Sequence, residues 1–465
     1  MNKQKGLAFD DVLVAPRFSD VSRAQVDTSI SLTENIRLNI PFMSAGMDTV
    51  TESKMAIAMA RCGGIGIIHR HMSIKAQANE VDRVKRSEHG VISDPFFLSP
   101  NHYVYEADKL MAQYHISGVP IIEHDKLVGI ITNRDLRFET DYSKKVYEVM
   151  TKDNLITAPF GTTIEEAKEL LTKHKVEKLP LVDEQGHLKG LITIKDINKS
   201  IQYPLSAKDS QGRLLAGAAV GIKDDFLERV QALYKRKVDI IALEVMHGHA
   251  KEVIAAIKHI KGDFPSLTVM VGNVATADGV IALKNAGADI IKIGIGPSSS
   301  STKRVVSGIG IPQITAIIEC KNAAENTPLI ADGGIRCSGD IVKAIAAGAS
   351  ACMIGNLIAG CDESPGTTEL FQGRKYKVHK GMEDTDYVHA EDYQTQAAAA
   401  ISTDGRITYK GNLAEVLQQL VDGFTVGMSY AGCRTIQEMN TNASLIEITQ
   451  AGFKESHSHG AGGSN

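Results

Sequence analysis

The chain has 465 residues, 43% of them hydrophobic and 23% charged, a composition typical of globular proteins. A formal net charge of -4 gives no electrostatic reason to expect a nucleic acid or an anionic membrane as a partner. The N-terminal sequence MNKQKGLAFDD lacks the apolar segment of a secretion signal, and no stretch approaches the ~18 apolar residues of a membrane span. The six cysteines form no CxxC pair, so we expect a cytoplasmic protein without a zinc site or a disulfide framework.

Eight short apolar segments are predicted to be buried parallel strands, because they are rich in Val, Ile, Ala and Gly and do not alternate with polar residues. They are Ile40–Gly46, Gly64–Arg70, Ala216–Gly221, Val238–Val245, Thr268–Val274, Ala288–Gly296, Pro328–Ile335 and Ala351–Ile358. Several precede helix-like stretches, and Thr276 and Gly287 bracket one of these as a cap and a stop signal. Eight βα units predict the α/β class and a (β/α)8 barrel, the TIM-barrel architecture.

The segment between the second and third predicted strands is too long for one connection and contains an internal repeat. The copies are His115–Leu136 and His174–Ile197, which match at Pro120/Pro180, Gly129/Gly190, Thr132/Thr193 and Asp135/Asp196. The pair resembles a tandem of cystathionine-β-synthase (CBS) domains, a module that commonly binds adenine nucleotides. This resemblance implies that the Thr and Asp of each Thr-x-x-Asp stretch contact a nucleotide. Helix capping by the same atoms is the alternative.

Gly-rich strand ends are expected at the carboxyl end of the barrel, where ligands bind in this fold. The seventh and eighth strands are followed by six candidates: Asp332, Gly333, Gly334, Ser338, Gly355 and Asn356. Glycines let a backbone approach an anion, and free N–H groups at a helix start point at it, so these loops predict a phosphate site. Asp332 is placed to accept hydrogen bonds from ribose hydroxyls. Tight turns without a ligand are the alternative.

The fourth to sixth strand ends add further candidates. Glu244 and His247 follow the fourth strand, Asn273 ends the fifth, and the loop GIGPSSSSTKR follows the sixth. A polar loop between glycines is a catalytic-loop candidate, although a serine run by itself is more often a solvated loop. The two histidines near the fourth strand end, His247 and His249, are candidate acid/base groups, and a structural role is the alternative.

Several of these segments belong to one ordered set of motifs. The set is GLAFDDVLVAPRFS, MSAGMDTVTE, GGIGIIHRHMS, GNVAT, GIGPSSSSTKR, ADGGIRCSGD, IGNLIAGCDESPG, GRKYKVHKGM and FKESH. Together they resemble the inosine-5′-monophosphate (IMP) dehydrogenase / GMP reductase family over essentially the whole chain. The CBS-like insert is usual in the dehydrogenase branch and favours it. The resemblance implies a homotetramer or octamer and the reaction IMP + NAD + water to XMP + NADH.

The resemblance also implies roles for individual residues. It assigns the catalytic loop to Ser301 and Thr302, further nucleotide contacts to Gly381 and Met382, and NAD contacts to Glu244 and Asn273. It implies a potassium ion on the backbone carbonyls of Gly294, Gly296 and Ser301. The domains are then two parts of the barrel at 1–91 and 206–453 with a flap at about 379–411, a CBS pair at 92–205, and a flexible tail at 454–465.

Departures from the family pattern leave three interpretations open. Ser301 stands where the family has the cysteine that attacks C2 of IMP, and a hydroxyl needs a dedicated base where a thiol does not. The flap's Arg-Tyr pair aligns on Asp386 and Tyr387, and its purine-reading acid aligns near Ile401. The chain is therefore an oxidoreductase of the family type, a non-catalytic nucleotide-binding paralogue, or an enzyme remodelled for another purine-like substrate around Glu244, His247, His379 and Glu383.

Overall fold

The computed structural model describes residues 5–87, 92, 95–114, 116–222, 225–298, 303–378 and 406–456. The chain folds into two compact units. The first comprises Met1–Ser87, Leu205–Asp209 and Leu214–Asn465, and the second comprises Glu88–Pro204 and Ser210–Arg213. The second unit therefore interrupts the first in sequence.

Eight parallel strands close into a barrel in the first unit, which confirms the predicted fold class. They are β1 (Phe42–Ser44), β2 (Ile65–Ile68), β3 (Ala216–Val220), β4 (Ile240–Glu244), β5 (Thr268–Val274), β6 (Ile290–Ile293), β7 (Leu329–Asp332) and β8 (Ala351–Ile354). Each strand pairs with the next along the chain, and β8 pairs with β1. Every residue of β2, β3, β6 and β8 is buried, because one face packs inside the barrel and the other against helices.

Eight helices alternate with the strands. They are α1 (Ser53–Arg61), α2 (Ile74–Ser87), α3 (Phe226–Lys235), α4 (Lys251–Asp263), α5 (Ala277–Ala286), α6 (Gln313–Ala324), α7 (Ser338–Ala347) and α8 (Leu413–Tyr430). Helix α5 begins and ends at the predicted signals: the Thr276 hydroxyl accepts a hydrogen bond from the Gly279 N–H, and Gly287 has a φ of 105°.

Smaller elements complete the first unit. Antiparallel pairs join Val12–Val14 to Leu445–Glu447 and Ile30–Thr33 to Ile36–Leu38, and a three-stranded sheet contains Thr367–Phe371, Arg374–Val378 and Arg406–Thr408. Short helices lie at Phe9–Asp11, Arg23–Gln25, Lys303–Ser307, Ile436–Asn442 and Gln450–Glu455. None of the helices in the described part of the chain is long and apolar enough to cross a lipid bilayer.

A buried ion-pair cluster holds the amino ends of β3 and β4. The Lys85 Nζ, at the end of α2, lies 2.8 Å from Asp239 Oδ2 and 2.9 Å from Asp209 Oδ2, and it donates a hydrogen bond to the Leu214 carbonyl. Asp239 Oδ2 also accepts a hydrogen bond from the Ala216 N–H at 2.7 Å. The side chain of Lys85 is 4% exposed and that of Asp239 is 11% exposed.

A second pair repeats this geometry nearer to solvent, at the amino ends of β5 and β6. The Lys261 Nζ lies 2.9 Å from Asp289 Oδ2 and donates to the Leu267 carbonyl, while Asp289 accepts from the Val269 N–H at 2.8 Å. The side chains of Lys261 and Asp289 are 23% and 30% exposed. The two clusters therefore differ mainly in burial and in the second carboxylate on Lys85.

The second unit contains the sequence repeat as two similar halves. Each half has a helix, two antiparallel strands and a second helix in that order. The first half is Val104–Tyr114, Gly118–Glu123, Lys126–Thr132 and Asn133–Leu136, and the second is Ile164–His174, Lys178–Val182, Leu188–Thr193 and Ile194–Gln202. A short helix at Val146–Val149 and a strand at Ala158–Pro159 lie between the halves in sequence. Each half packs around its own apolar cluster.

Candidate functional site

A cavity of about 1100 Å³ lies at the carboxyl ends of the barrel strands. Its lining includes residues at or just after the ends of β1 and of β4 to β8. Ligand pockets typically have volumes of ~300–1000 Å³, so this cavity has the size of a large ligand pocket. This is the end of the barrel at which the fold places its ligands.

The loop after β7 is shaped by two glycines. Gly333 and Gly334 have φ values of 97° and 81°, which other residues rarely adopt, and a Cβ on Gly333 would stand 2.9 Å from the side chain of Pro297. The buried carboxylate of Asp340 in α7 accepts a hydrogen bond from the Arg336 N–H at 2.9 Å. The loop is thus held open toward the cavity and fixed to the start of α7, as a phosphate-binding turn requires.

Asp332, the last residue of β7, is held by two donors. Its Oδ2 accepts hydrogen bonds from Asn273 Nδ2 at 2.9 Å and from Lys292 Nζ at 3.2 Å. Asn273 Nδ2 also donates to the Gly294 carbonyl at 2.9 Å, so the ends of β5, β6 and β7 are tied together. This arrangement fixes the orientation of the Asp332 carboxylate at the cavity wall.

Lys292 is a site residue that the sequence analysis missed. It lies in β6, its side chain is 1% exposed, and its Nζ lies 2.6 Å from Glu244 Oε1 at the end of β4. Burial acts to lower the pKa of Lys292, but the charges of Glu244 and Asp332 outweigh burial and raise the pKa above its ordinary value. The lysine is therefore charged. The sequence signal was a lone Lys within the apolar run of β6.

The loop after β6 is anchored by side chains from α6 and from the loop itself. Gln313 Nε2 donates to the carbonyls of Ile293 and Asp332 at 2.8 and 3.3 Å. Arg304 donates to the Ile295 carbonyl, and its side chain covers Gly296, where a Cβ would stand 2.7 Å from the Arg304 Cγ. These contacts fix the first part of the loop against the barrel.

Most of the described barrel candidates line this cavity. They are Glu244, His247, Asn273, Gly294, Gly296, Asp332, Gly333, Gly334, Gly355 and Asn356. Ser338 is not among the lining residues, and its Oγ lies against α8, only 2.2 Å from where a Cβ on Gly423 would stand. Ser301, Thr302, Gly381 and Met382 lie outside the described residues, as do His379, Glu383, Asp386, Tyr387 and Ile401.

The second unit contains a smaller cavity, of about 180 Å³, beside the first Thr-x-x-Asp stretch. Thr132 and Asp135 line it, and they also cap the helix that follows: Asp135 Oδ2 accepts from the N–H and the hydroxyl of Thr132, both at 2.7 Å. Lys178, from the other copy, is 9% exposed and lines the same cavity. Thr193 is not among its lining residues, and the side chain of Asp196 is outside the described part of the chain.

Comparison with known proteins supplies the family. The sequence profile of the IMP dehydrogenase / GMP reductase domain matches residues 6–459. The chain belongs to the IMP dehydrogenase / GMP reductase family. It is 55% identical to an inosine-5′-monophosphate dehydrogenase from Halalkalibacterium halodurans, over 98% of this chain and 96% of that protein. It is 52% identical to the Bacillus subtilis protein of the same name, with the same coverage.

Among solved structures, the chain is similar to GMP reductases. A GMP reductase variant from Trypanosoma brucei, in complex with guanosine 5′-monophosphate, has a TM-score of 0.87 and 37% identity and covers 99% of both chains. The reductase from the same organism in complex with guanosine 5′-triphosphate has a TM-score of 0.80 and 35% identity, over 96% of this chain and 99% of that one. The likeness to the reductase extends over the insert as well as the barrel, whereas the curated relatives at 52–55% identity are IMP dehydrogenases.

Proposed function

We propose that the barrel cavity binds IMP and that this chain catalyses the family reaction, IMP + NAD + water to XMP + NADH. The observation that carries the proposal is the juxtaposition of Asp332 with the Gly333–Gly334 turn. One short segment thereby offers a fixed carboxylate, which accepts hydrogen bonds from ribose hydroxyls, and a glycine turn at a helix start, which accepts a phosphate. A nucleoside 5′-phosphate carries these two groups at neighbouring positions.

The rest of the cavity suits a dinucleotide. Its volume of about 1100 Å³ is at the upper end of the range for ligand pockets, and Glu244 lies on its wall. One oxygen of Glu244 is engaged by Lys292, so the second is the one that would accept a hydrogen bond from a cofactor ribose hydroxyl. NAD, when bound, supplies the hydride acceptor. The likeness to dehydrogenases at 52–55% identity supports this cofactor.

Ser301 sets the expected rate of the chemical step. In the family reaction a nucleophile adds to C2 of IMP, hydride passes from C2 to NAD, and water then displaces the nucleophile to give XMP. A serine hydroxyl is almost fully protonated at neutral pH, whereas a cysteine thiol is already a few per cent thiolate. We therefore expect slow turnover by the native chain and faster turnover by the Ser301→Cys variant.

The test measures NADH formation by both proteins with IMP, NAD and potassium, together with thermal stabilisation by IMP alone. Stabilisation by IMP with NADH formation above a no-enzyme control supports the proposal. A native chain that forms no NADH would overturn the proposed catalysis, and one that also gains no thermal stability with IMP would overturn the proposed binding. The Ser301→Cys variant serves as the matched control, because it restores only the thiol and leaves the described cavity unchanged.

A non-catalytic nucleotide-binding protein is the second candidate, and the observation that favours it is Ser301 at the position of the nucleophile. It predicts binding of IMP by the native chain with no NADH formation. Turnover that appears only in Ser301→Cys would assign this role and show that the remaining site is competent. Binding without turnover in either protein would instead favour a remodelled enzyme acting on another purine-like substrate.

A potassium ion is proposed on the carbonyls of Gly294, Gly296 and Ser301. The two described members line the cavity and have φ values of 142° and 76°. The Gly294 carbonyl already accepts one hydrogen bond from Asn273, and a carbonyl oxygen has a second lone pair for a cation. In the described part of the chain, His, Cys, Asp and Glu side chains form no cluster of three that could hold a metal ion. Loss of thermal stability when sodium replaces potassium would support the site.

Adenine-nucleotide binding is proposed for the second unit, at the cavity lined by Thr132, Asp135 and Lys178. In the described part of the chain, no acceptor lies within hydrogen-bond distance of the Lys178 ammonium, and the closest carboxylate, of Glu177, is 3.9 Å away. Burial lowers the pKa of Lys178. The Lys178 ammonium therefore has N–H groups available to a ligand, and a phosphate oxygen would accept hydrogen bonds from them.

Calorimetry with ATP tests this second site. Asp135→Ala and Lys178→Met are expected to weaken ATP binding, and so is Asp196→Ala if the second copy also contributes. Glu166→Ala is the matched control, because Glu166 makes the same cap with Thr163 at 2.9 and 3.0 Å but does not line the cavity. Unchanged ATP affinity in Lys178→Met would overturn the proposal, and an equal loss in Glu166→Ala would assign the effect to capping.

A homotetramer or octamer is proposed from the family alone. Light scattering after size-exclusion chromatography, with and without ATP, measures the assembly directly. A monomer at micromolar concentration would contradict the proposal.

A further inference from the structure

Lys292 is the least exposed charged residue of the cavity wall. Its side chain is 1% exposed and lies within a barrel strand whose other residues are apolar. Removing an ammonium from water costs several kcal/mol, and a well-packed apolar residue often replaces a buried ion pair at no loss of stability. Stability alone is therefore a weak reason for a lysine at this position, and its contacts indicate another.

The contacts of Lys292 connect two carboxylates that both line the cavity. Its Nζ lies 2.6 Å from Glu244 Oε1 and 3.2 Å from Asp332 Oδ2. Asn273 Nδ2, in β5 on the other side of β6, donates to the same Asp332 oxygen at 2.9 Å. Among the described residues, every hydrogen bond to the Asp332 carboxylate goes to Oδ2. Two donors on one oxygen fix the plane of the carboxylate and leave Oδ1 for a ligand.

We propose that Lys292 is a positioning residue that holds Asp332 so that its Oδ1 accepts a hydrogen bond from a ribose hydroxyl of the bound nucleotide. This inference rests on the proposed function, since it takes Asp332 as the ribose acceptor. Lys292 itself does not contact the nucleotide in this assignment. The raised pKa of Lys292 keeps it charged throughout the neutral range, so its ammonium remains a hydrogen-bond donor to Asp332.

The experiment compares two ligands that differ only in the ribose hydroxyls, IMP and 2′,3′-dideoxy-IMP. A hydrogen bond to a charged group contributes about 1.5–3 kcal/mol, so the native chain is expected to prefer IMP by roughly 10- to 150-fold. The Lys292→Met variant is expected to reduce this preference to within about threefold while it still binds both ligands through the phosphate. Calorimetry gives the two dissociation constants.

The control is Lys261→Met, which removes a lysine paired with one carboxylate at the other end of the barrel. It is expected to keep the native preference for IMP. A reduced preference in both variants would assign the effect to general destabilisation, and an unchanged preference in Lys292→Met would overturn the inference. A native chain that binds both ligands equally, or neither, would instead contradict the proposed function.

A second variant protects the test against misfolding of Lys292→Met, in which Glu244 and Asp332 both lose their counter-charge. The double variant Glu244→Gln/Lys292→Met removes one positive and one negative charge, so the net charge of the cluster is unchanged. It is expected to lose the ribose preference, whereas Glu244→Gln alone is expected to keep it, because Lys292 still donates to Asp332. Equal preference in the single and the double variant would overturn the positioning role.

Discussion

Replacement of Lys85 by Met is expected to destabilise the barrel far more than the same replacement at Lys261. Both lysines pair with an aspartate that also accepts a backbone N–H, and both donate to a carbonyl. They differ in the second carboxylate on Lys85, that of Asp209, and in burial, since the Lys85 and Asp239 side chains are 4% and 11% exposed against 23% and 30% for Lys261 and Asp289. Breaking a buried pair costs about 3–5 kcal/mol, whereas a more exposed pair contributes about 0–1 kcal/mol.

The assay is thermal or denaturant unfolding of the two variants beside the native chain. At roughly 2 °C per kcal/mol for a large domain, the difference in loss corresponds to a melting temperature about 4–10 °C lower for Lys85→Met than for Lys261→Met. Equal losses in the two variants would refute the argument from burial.

The pH dependence of the Lys85→Met loss gives a further check. Burial raises the pKa of Asp239, and the charge of Lys85 opposes this shift. Without Lys85 the pKa of Asp239 rises further. A carboxyl whose folded-state pKa is raised contributes stability below its unfolded pKa and loses it as the pH rises through the folded pKa. The deficit of Lys85→Met is therefore expected to be smaller at about pH 5 than at about pH 8. A deficit that grows on acidification would refute the reasoning.

Three further predictions concern single positions. Gly333→Ala is expected to weaken IMP binding at least about tenfold by calorimetry, because its Cβ would stand too close to the Pro297 side chain and the φ of Gly333 is unfavourable for alanine. Gly373→Ala, with a φ of 76° and open space around it, is expected to leave binding unchanged. Cys337 is exposed and is expected to react with a maleimide before Cys320 does, because burial raises the pKa of the Cys320 thiol to about 12. Mass spectrometry of the labelled peptides checks the order. Gly423→Ala is expected to lower the melting temperature, because its Cβ would stand 2.2 Å from a hydroxyl of α7, and an unchanged melting temperature would contradict this.

The barrel could be predicted from the sequence because its strands are buried on both faces. Each strand is then a short run of apolar residues without alternation, and eight such runs separated by helical segments leave few other architectures. The turn at Asp332–Gly334 could also be predicted, since a pair of glycines directly after a buried strand is typical of a turn with positive φ, and both glycines have positive φ in the structure.

Lys292 could not be predicted, because its role depends on residues distant in sequence. Glu244 lies 48 positions before it and Asp332 lies 40 positions after it, and only closure of the barrel brings the three together. In the sequence the lysine is one polar residue in an apolar strand, which is equally typical of a solvent-facing position.

The Thr-x-x-Asp stretch shows a different limit. Thr132 and Asp135 cap a helix and line a cavity at the same time, so the two roles are not exclusive, and only a ligand-binding measurement separates them. Lys178 is a more selective probe, because it has no part in the cap.

The place at which the second unit enters the barrel has a consequence for protein evolution. The chain leaves the first unit after a complete βα module, at Ser87, returns to it for Leu205–Asp209, and rejoins it at Leu214, just before β3 begins. Both crossings lie beside the Lys85 cluster, since Lys85 and Asp209 are 2.9 Å apart, and β2 and β3 pair directly in the closed barrel. Residues 88–204 therefore contain none of the strands β1–β8, none of the helices α1–α8 and none of the residues that line the barrel cavity. We therefore expect recombination at these junctions to add or remove the inserted module while the strands and helices of the barrel are kept.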